Sequence, residues 1–102
     1  MKRYELHRLR DGDGRVEIRL GGTTVATMAA PPRRTPEGLA LRAEIVPGAV
    51  VADIARAIDI AEHRGFWRGL MPHGPLADLL PAVAVINLSP TDAPPQVVFE
   101  ET

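Results

Sequence analysis

The sequence predicts an α+β domain in which one main helix packs on one face of a mostly antiparallel sheet. Two patterns predict this fold. Apolar and charged residues alternate with a period of two in the first half of the chain, most regularly from Arg15 to Leu20, which is typical of strands with one buried face. A helical period is found from about Val50 to His63. The predicted order is four strands, the helix, a short second helix and two strands.

The first three strands are predicted to form a meander. Tyr4 and Leu6 lie in the first extended run, and the sequence Asp-Gly-Asp-Gly at positions 11–14 follows as a hairpin turn. Glycine adopts positive φ without steric cost, which is why such pairs are typical of hairpins. Gly21-Gly22 offers a second turn, and Thr23–Ala29 continues as a third strand rich in β-branched residues.

The next segment is rich in proline and is predicted to be an exposed loop. Pro31, Pro32 and Pro36 fix φ and lack the backbone donor, so residues 30–38 are excluded from an interior strand or helix. Apolar residues then alternate again from 39 to 45 as a fourth strand, which Pro47-Gly48 ends.

The predicted helix has one apolar stripe. Val51, Ile54, Ile58 and Ala61 share it, and Gly65 is expected to end the helix. Ile60 lies about 120° from the stripe, among charged residues, and we therefore expect it to be exposed.

Three elements are predicted after the helix. Glycines and prolines exclude a long regular element over residues 66–75, and a short helix can form over Leu76–Leu80. Ala82–Leu88 lacks polar alternation and is predicted to be a strand covered on both faces. Val97–Glu100 is predicted to be a final short strand.

The composition fits one domain over residues 1–102. Of these residues 45% are hydrophobic and 25% are charged, which is the usual balance of a globular chain. Cysteine is absent, so disulfides, thiolate metal sites and a cysteine nucleophile are excluded. We find no apolar signal segment and no run near the ~18 apolar residues that span a bilayer, and we therefore expect a cytoplasmic protein without a membrane partner.

The sequence offers little for catalysis. The single serine, Ser89, lacks the Gly-x-Ser-x-Gly context of a hydrolase nucleophile, and the single lysine is Lys2, near the start. Paired glycines lie between strands, which does not fit a phosphate-binding loop. We expect no cofactor and no metal, and enzymatic activity is doubtful. One alternative is a small ligand-binding or metal-dependent enzyme domain near His63 and His73, with Asp59 as a further metal ligand.

Charge is distributed unevenly along the chain. Residues 1–34 carry eight basic and four acidic side chains, whereas residues 35–102 carry four basic and nine acidic ones. A basic β-hairpin face could neutralise phosphates, so a nucleic-acid-binding module is a second alternative. Interleaved carboxylates and the lack of stacking aromatics other than Tyr4 argue against it. Its candidate residues are Arg8, Arg10, Arg15, Arg19, Arg33 and Arg34.

The apolar segment after the helix favours a non-enzymatic protein–protein interaction or assembly module. Large aromatic residues beside an arginine are the types enriched in interfaces. The alternative is that this segment folds back over its own sheet as part of the core. We expect a homodimer or docking on a larger protein partner, through Ile60, Phe66, Trp67, Arg68, Leu70 and Met71.

Overall fold

A computed structural model of the chain describes residues 2–9, 15–68, 78–85, 88, 90 and 92–101. The strands and the helix of these residues follow the chain in the order β1 (Arg3–Arg8), β2 (Val16–Leu20), β3 (Thr23–Met28), β4 (Arg33–Thr35), β5 (Gly38–Ile45), α1 (Val51–His63), β6 (Ala82–Val85) and β7 (Gln96–Glu101). The predicted hairpin turn at residues 11–14 lies outside the described residues, as do the first two residues of the short helix predicted over Leu76–Leu80; Asp78 and Leu79 of that segment are helical.

The strands form one curled mixed sheet of order β4-β5-β3-β2-β1-β7, with β6 also paired to β5. Each described pairing is antiparallel except that of β1 with β7, which is parallel. The predicted α+β fold with a mostly antiparallel sheet is therefore confirmed. The parallel pair arises because β7 returns after the helix to the edge of β1 that β2 leaves unpaired, with Leu6 between Ile18 and Phe99.

The core lies between the inner face of this sheet and α1. Alternate residues of the strands are buried, for example Leu6 in β1 and Ile18 in β2, as the period of two predicts. Ile54 and Ile58 of α1 are fully buried against this face. Burying each such side chain contributes about 1.5–3 kcal/mol, so packing of the amphipathic helix on the inner face stabilises both elements.

The end of α1 is a Schellman motif built on Gly65. Gly65 adopts φ +83°, its N–H donates to the carbonyl of Glu62 at 3.0 Å, and the N–H of Phe66 donates to that of Ala61 at 3.0 Å. A side chain at Gly65 would be strained in this conformation, which explains the glycine. The motif reverses the chain, and so it returns the residues that follow the helix to the core.

The structure corrects two sequence predictions about strands. The proline-rich loop contains a short strand, β4, which pairs with β5 across the turn at Pro36-Glu37; the prolines flank this strand rather than interrupt it. β6 is not covered on both faces, because Ala82 and Ala84 are exposed and the pairing of the strand among the described residues is with β5 alone. Alanine is small enough for its exposure to cost little, so the missing polar alternation did not require burial.

Among the described residues, no helix has both the length and the apolar character needed to cross a membrane.

Candidate interaction surface

The two aromatic residues that follow α1 are buried within the chain. Phe66 is 3% exposed and Trp67 is 6% exposed. Their rings meet edge to face with centroids 4.8 Å apart, and Phe66 makes a second such contact with Phe99 of β7, also at 4.8 Å. These pairs add about 0.5–1.5 kcal/mol each beyond the area they bury. The chain itself therefore supplies the cover that we expected a partner to supply.

The other residues of the expected patch are dispersed. Ile60 is only partly exposed and packs against the core, so its predicted exposure was wrong. The curled sheet reaches farther around the helix than the apolar stripe alone indicates. Arg68 is exposed, while Leu70 and Met71 lie outside the described residues. The described part of the chain does not assemble these six residues into one apolar surface.

The arginines of the nucleic-acid alternative lie on different faces of the sheet. Arg8 is on the inner face, where Nη2 donates to the carbonyl of Phe66 at 2.5 Å and the guanidinium lies 4.9 Å from the centre of the Phe66 ring. Arg19 is on the outer face, where its Nη2 donates to Glu17 at 2.7 Å. Successive residues of a strand point to opposite faces of the sheet, so Arg8 and Arg19 do not share the basic face that we expected. Arg10 lies outside the described residues, and Arg15 has an interaction within the chain.

Arg34 joins the short strand β4 to the polar side of α1, while the neighbouring Arg33 is exposed. The guanidinium of Arg34 donates to Asp59 and lies 3.5 Å from Glu62 Oε2. The hydrogen bond to Asp59 raises the pKa of Arg34 above its usual value, with the negative charges of Asp59 and Glu62 adding to the effect. Nearly half of this side chain is exposed, so the ion pairs stabilise the fold by about 1 kcal/mol at most.

The same arginine occupies the place that a metal would need. His63 Nδ1 lies 3.0 Å from Arg34 Nη2 and 3.7 Å from Asp59 Oδ1, so the guanidinium is already next to both proposed ligands. A divalent cation there would be repelled by the fixed positive charge. His73, the third proposed ligand, lies outside the described residues. Where the structure describes the chain, no group of three histidine or carboxylate side chains is arranged to hold a metal.

A second polar cluster escaped the sequence analysis. His7 is 7% exposed, and its Nε2 lies 3.1 Å from Glu5 Oε1. The strand register places His7 opposite Glu17 of β2 and Glu100 of β7, so carboxylates flank it on both sides. The shared strand face of positions 5 and 7 was the only signal in the sequence, because the parallel pairing of β7 with β1 was not predictable.

The outer edge of β6 presents backbone groups that do not point at β5. Ala43 donates its N–H to the carbonyl of Pro81 at 3.0 Å, and the register then pairs Leu41 with Val83. Hydrogen-bonded and non-hydrogen-bonded pairs alternate along an antiparallel ladder, so Val83 bonds to β5 through its N–H and C=O. The N–H and C=O groups of Ala82 and Ala84 therefore point away from β5, and no backbone partner for them lies among the described residues.

The outer edge of β7 is protected by Arg64. Gln96 donates its N–H to the carbonyl of Lys2 at 2.8 Å, so alternate residues of β7 bond to β1, and Val97 and Phe99 turn their backbone groups outward. Arg64 Nη1 donates to the carbonyl of Val97 at 2.6 Å, and its guanidinium lies 4.5 Å from the centre of the Phe99 ring. A charged side chain placed across an edge is a common protection against pairing with another chain.

Among the described residues, no charged side chain bonds to Ala82 or Ala84 of β6, although Arg42 of β5 donates from Nη1 to the carbonyl of Leu80, 3.1 Å away and just before the strand. Its four residues, Ala-Val-Ala-Val, carry no charge, and its exposed face bears only alanine side chains. Leu79, just before the strand, is 79% exposed and is a large apolar side chain. An uncharged edge with small exposed side chains is a template on which another strand can pair.

Comparison with models of protein families, with curated proteins and with solved structures finds no match to this chain. The fold and the described surface define a class only, that of a small α+β domain whose described edge strands are β4 and β7, which carry charged residues, and β6, which carries none.

Proposed function

We propose that this protein is a non-enzymatic protein–protein interaction or assembly module that binds an extended strand along the outer edge of β6. The single observation that carries the proposal is the outward orientation of the N–H and C=O groups of Ala82 and Ala84 in an uncharged, exposed strand. Main-chain hydrogen bonds give affinity in this mode of recognition, and side-chain contacts on alternate faces give specificity.

The contrast between β6 and the other edge strands, which carry charged residues, supports the proposal. Edge strands of natural proteins are commonly blunted by charges or covered by other elements, as Arg64 does for β7. An edge without such a device is expected where pairing is useful. The surface differs from the one expected from the sequence, because Phe66 and Trp67 already have cover in the core of the chain.

The proposal is tested with a capped peptide of alternating threonine and valine, a neutral strand-forming probe. Added to the full chain at a concentration at which sedimentation shows a monomer, the peptide should slow amide hydrogen exchange at Ala82 and Ala84, measured by nuclear magnetic resonance. The variant Ala84→Pro removes an outward donor while leaving the bonds to β5 intact, and edge strands tolerate proline at such positions. The Ala84→Pro variant should therefore no longer bind the peptide.

The matched control is Val51→Pro, at the first position of α1, where proline also removes no helical hydrogen bond. This variant should bind the peptide as the unchanged chain does. Unchanged exchange at Ala82 and Ala84 in the presence of the peptide, or equal binding by Ala84→Pro, would contradict strand addition at β6.

A further inference from the structure

We infer that the strand added to β6 is β6 of a second copy of this chain, paired antiparallel about a two-fold axis at Val83. This inference rests on the proposed function and names its partner. In this register Ala82 lies opposite Ala84 of the second copy, and each of these residues gives and takes one hydrogen bond. In a register centred on either alanine, the other alanine would lie opposite a residue outside Ala82–Val85 and would have no partner within the strand.

The absence of charge on β6 argues for a second copy as the occupant. Two-fold pairing brings identical strands together, so a charged residue near the axis would meet its own copy, and like charges across a ladder are destabilising. Ala82–Val85 contains no charged residue. β7 ends in Glu100-Glu101 and would bring carboxylates together at such an axis. Of the described edge strands β4, β6 and β7, β6 is the one without a charged residue and is therefore suited to pairing with itself.

Val83 provides a second argument. Its side chain is only partly buried, on the face of β6 that packs against the core, and no polar residue of the strand covers it. At the axis Val83 would form a non-hydrogen-bonded pair with Val83 of the second copy, the pair type in which Cα atoms are about 4.5 Å apart and side chains are closest. Self-pairing would therefore bury the apolar surface that the single chain leaves exposed at this residue.

The alanines allow the two sheets to join without obstruction. On the outer face Ala84 lies opposite Ala40 of β5 and Ala82 lies opposite Arg42, whose Nη1 donates to the carbonyl of Leu80; the side chains that β6 itself presents on this face are alanines. The strand is only four residues long, whereas stable dimers bury roughly 1,200–2,000 Å². We therefore expect a weak dimer whose fraction rises with protein concentration. Its dissociation constant should lie below about 1 mM.

The first test uses sedimentation of the full chain over a range of concentrations together with single-cysteine variants. The chain contains no cysteine, so each variant carries one thiol. Val83→Cys should form an oxidised dimer readily, because the Cα separation in the proposed pair falls within the range of disulfides, about 4.4–6.8 Å. Gln96→Cys, exposed on β7, is the control and should form little of it.

A pair of double variants tests the register. Ala82→Glu with Ala84→Lys places opposite charges across the proposed ladder and should retain the dimer. Ala82→Lys with Ala84→Lys places like charges there and should weaken it at least about tenfold. These side chains are exposed in the single chain, so both variants are expected to fold.

The outcomes separate the two proposals. A monomer up to about 1 mM that still binds the threonine–valine peptide at β6 would overturn self-pairing and leave strand addition standing. A monomer that binds no peptide would overturn both. A dimer that neither crosslinks through Val83→Cys nor responds to the charge variants would place self-association on another surface and overturn this inference.

Discussion

Arg64 Nη1 donates a hydrogen bond to the carbonyl of Val97, 2.6 Å away, across the outer edge of β7. Arg64 follows α1 directly, while Val97 lies in the last strand, so this contact joins two distant parts of the chain. The guanidinium also lies over the ring of Phe99. One side chain therefore fixes β7 to the end of the helix and blocks the edge of the sheet.

Arg64→Met should lower the free energy of unfolding by about 1–2 kcal/mol, because it removes a charge-assisted hydrogen bond and a cation–π contact. The measurement is urea-induced unfolding followed by circular dichroism. Arg68→Met is the matched control, since Arg68 is exposed and should change stability by less than about 0.5 kcal/mol. Equal effects of the two substitutions would show that the Val97 contact contributes nothing measurable.

Trp67→Ala should lower the free energy of unfolding by about 3–5 kcal/mol, because it removes a buried indole and its packing against Phe66. Trp67→Phe should cost less, since it retains a ring at this position. Both are measured by urea-induced unfolding followed by circular dichroism. A stable Trp67→Ala variant with impaired self-association would instead indicate that Trp67 lies in an interface between chains, as we expected from the sequence.

Val50→Asp should raise the free energy of unfolding by about 1 kcal/mol. Val50 is the N-cap of α1, is half-exposed, and makes no side-chain capping hydrogen bond. An aspartate can accept from a free N–H of the first turn and also interacts favourably with the helix dipole. Thermal unfolding measures the gain. Val46→Asp, at a similarly exposed valine outside the cap, should bring none, and a gain of the same size there would contradict capping as the cause.

The stability of the fold should fall as the pH rises above 10, the usual pKa of tyrosine. Burial raises the pKa of Tyr4, an effect that the positive charge of Lys2 opposes and the negative charge of Asp53 supports. A raised pKa means that the folded state holds its proton at a pH where the unfolded state has lost it, so stability is complete below pH 10 and is lost above it.

Urea-induced unfolding at increasing pH measures this loss. Tyr4 is the only tyrosine of the chain, so the ultraviolet band of the phenolate reports its titration directly. Tyr4→Phe removes the ionising group and should flatten the decline in alkali. The same decline in both proteins would assign it to other groups.

Local chemistry explains which elements were predictable. The period of two gave β2 and the β-branched residues gave β3 with little error, and the apolar stripe and Gly65 gave both ends of α1. Gly21 and Gly22, predicted as a turn, adopt φ +61° and +82°. Each of these features depends on residues close together in the chain, where sterics and hydrogen bonding decide the conformation.

The errors concern relationships between distant segments. β4 was missed because its three residues are a strand only through their pairing with β5. Phe66 and Trp67 were assigned to a surface because their cover comes from the sheet and from Phe99, more than thirty residues away. For β6, the sequence indicated an apolar strand correctly, but its position at an edge depends on the order of the whole sheet.

The sequence by itself determined the α+β class, the main helix with its glycine terminus, and the exclusion of cysteine chemistry, because composition and short-range periodicity act locally. The tertiary structure alone decided the parallel pairing of β7 with β1 and the burial of the aromatic pair. It also decided the hydrogen bonds of Arg8 and Arg34 within the chain, and the contrast between the edges of β6 and β7. These depend on which segments meet in space, and the pairing partners of a strand are set by the packing of the whole chain rather than by the residues of the strand.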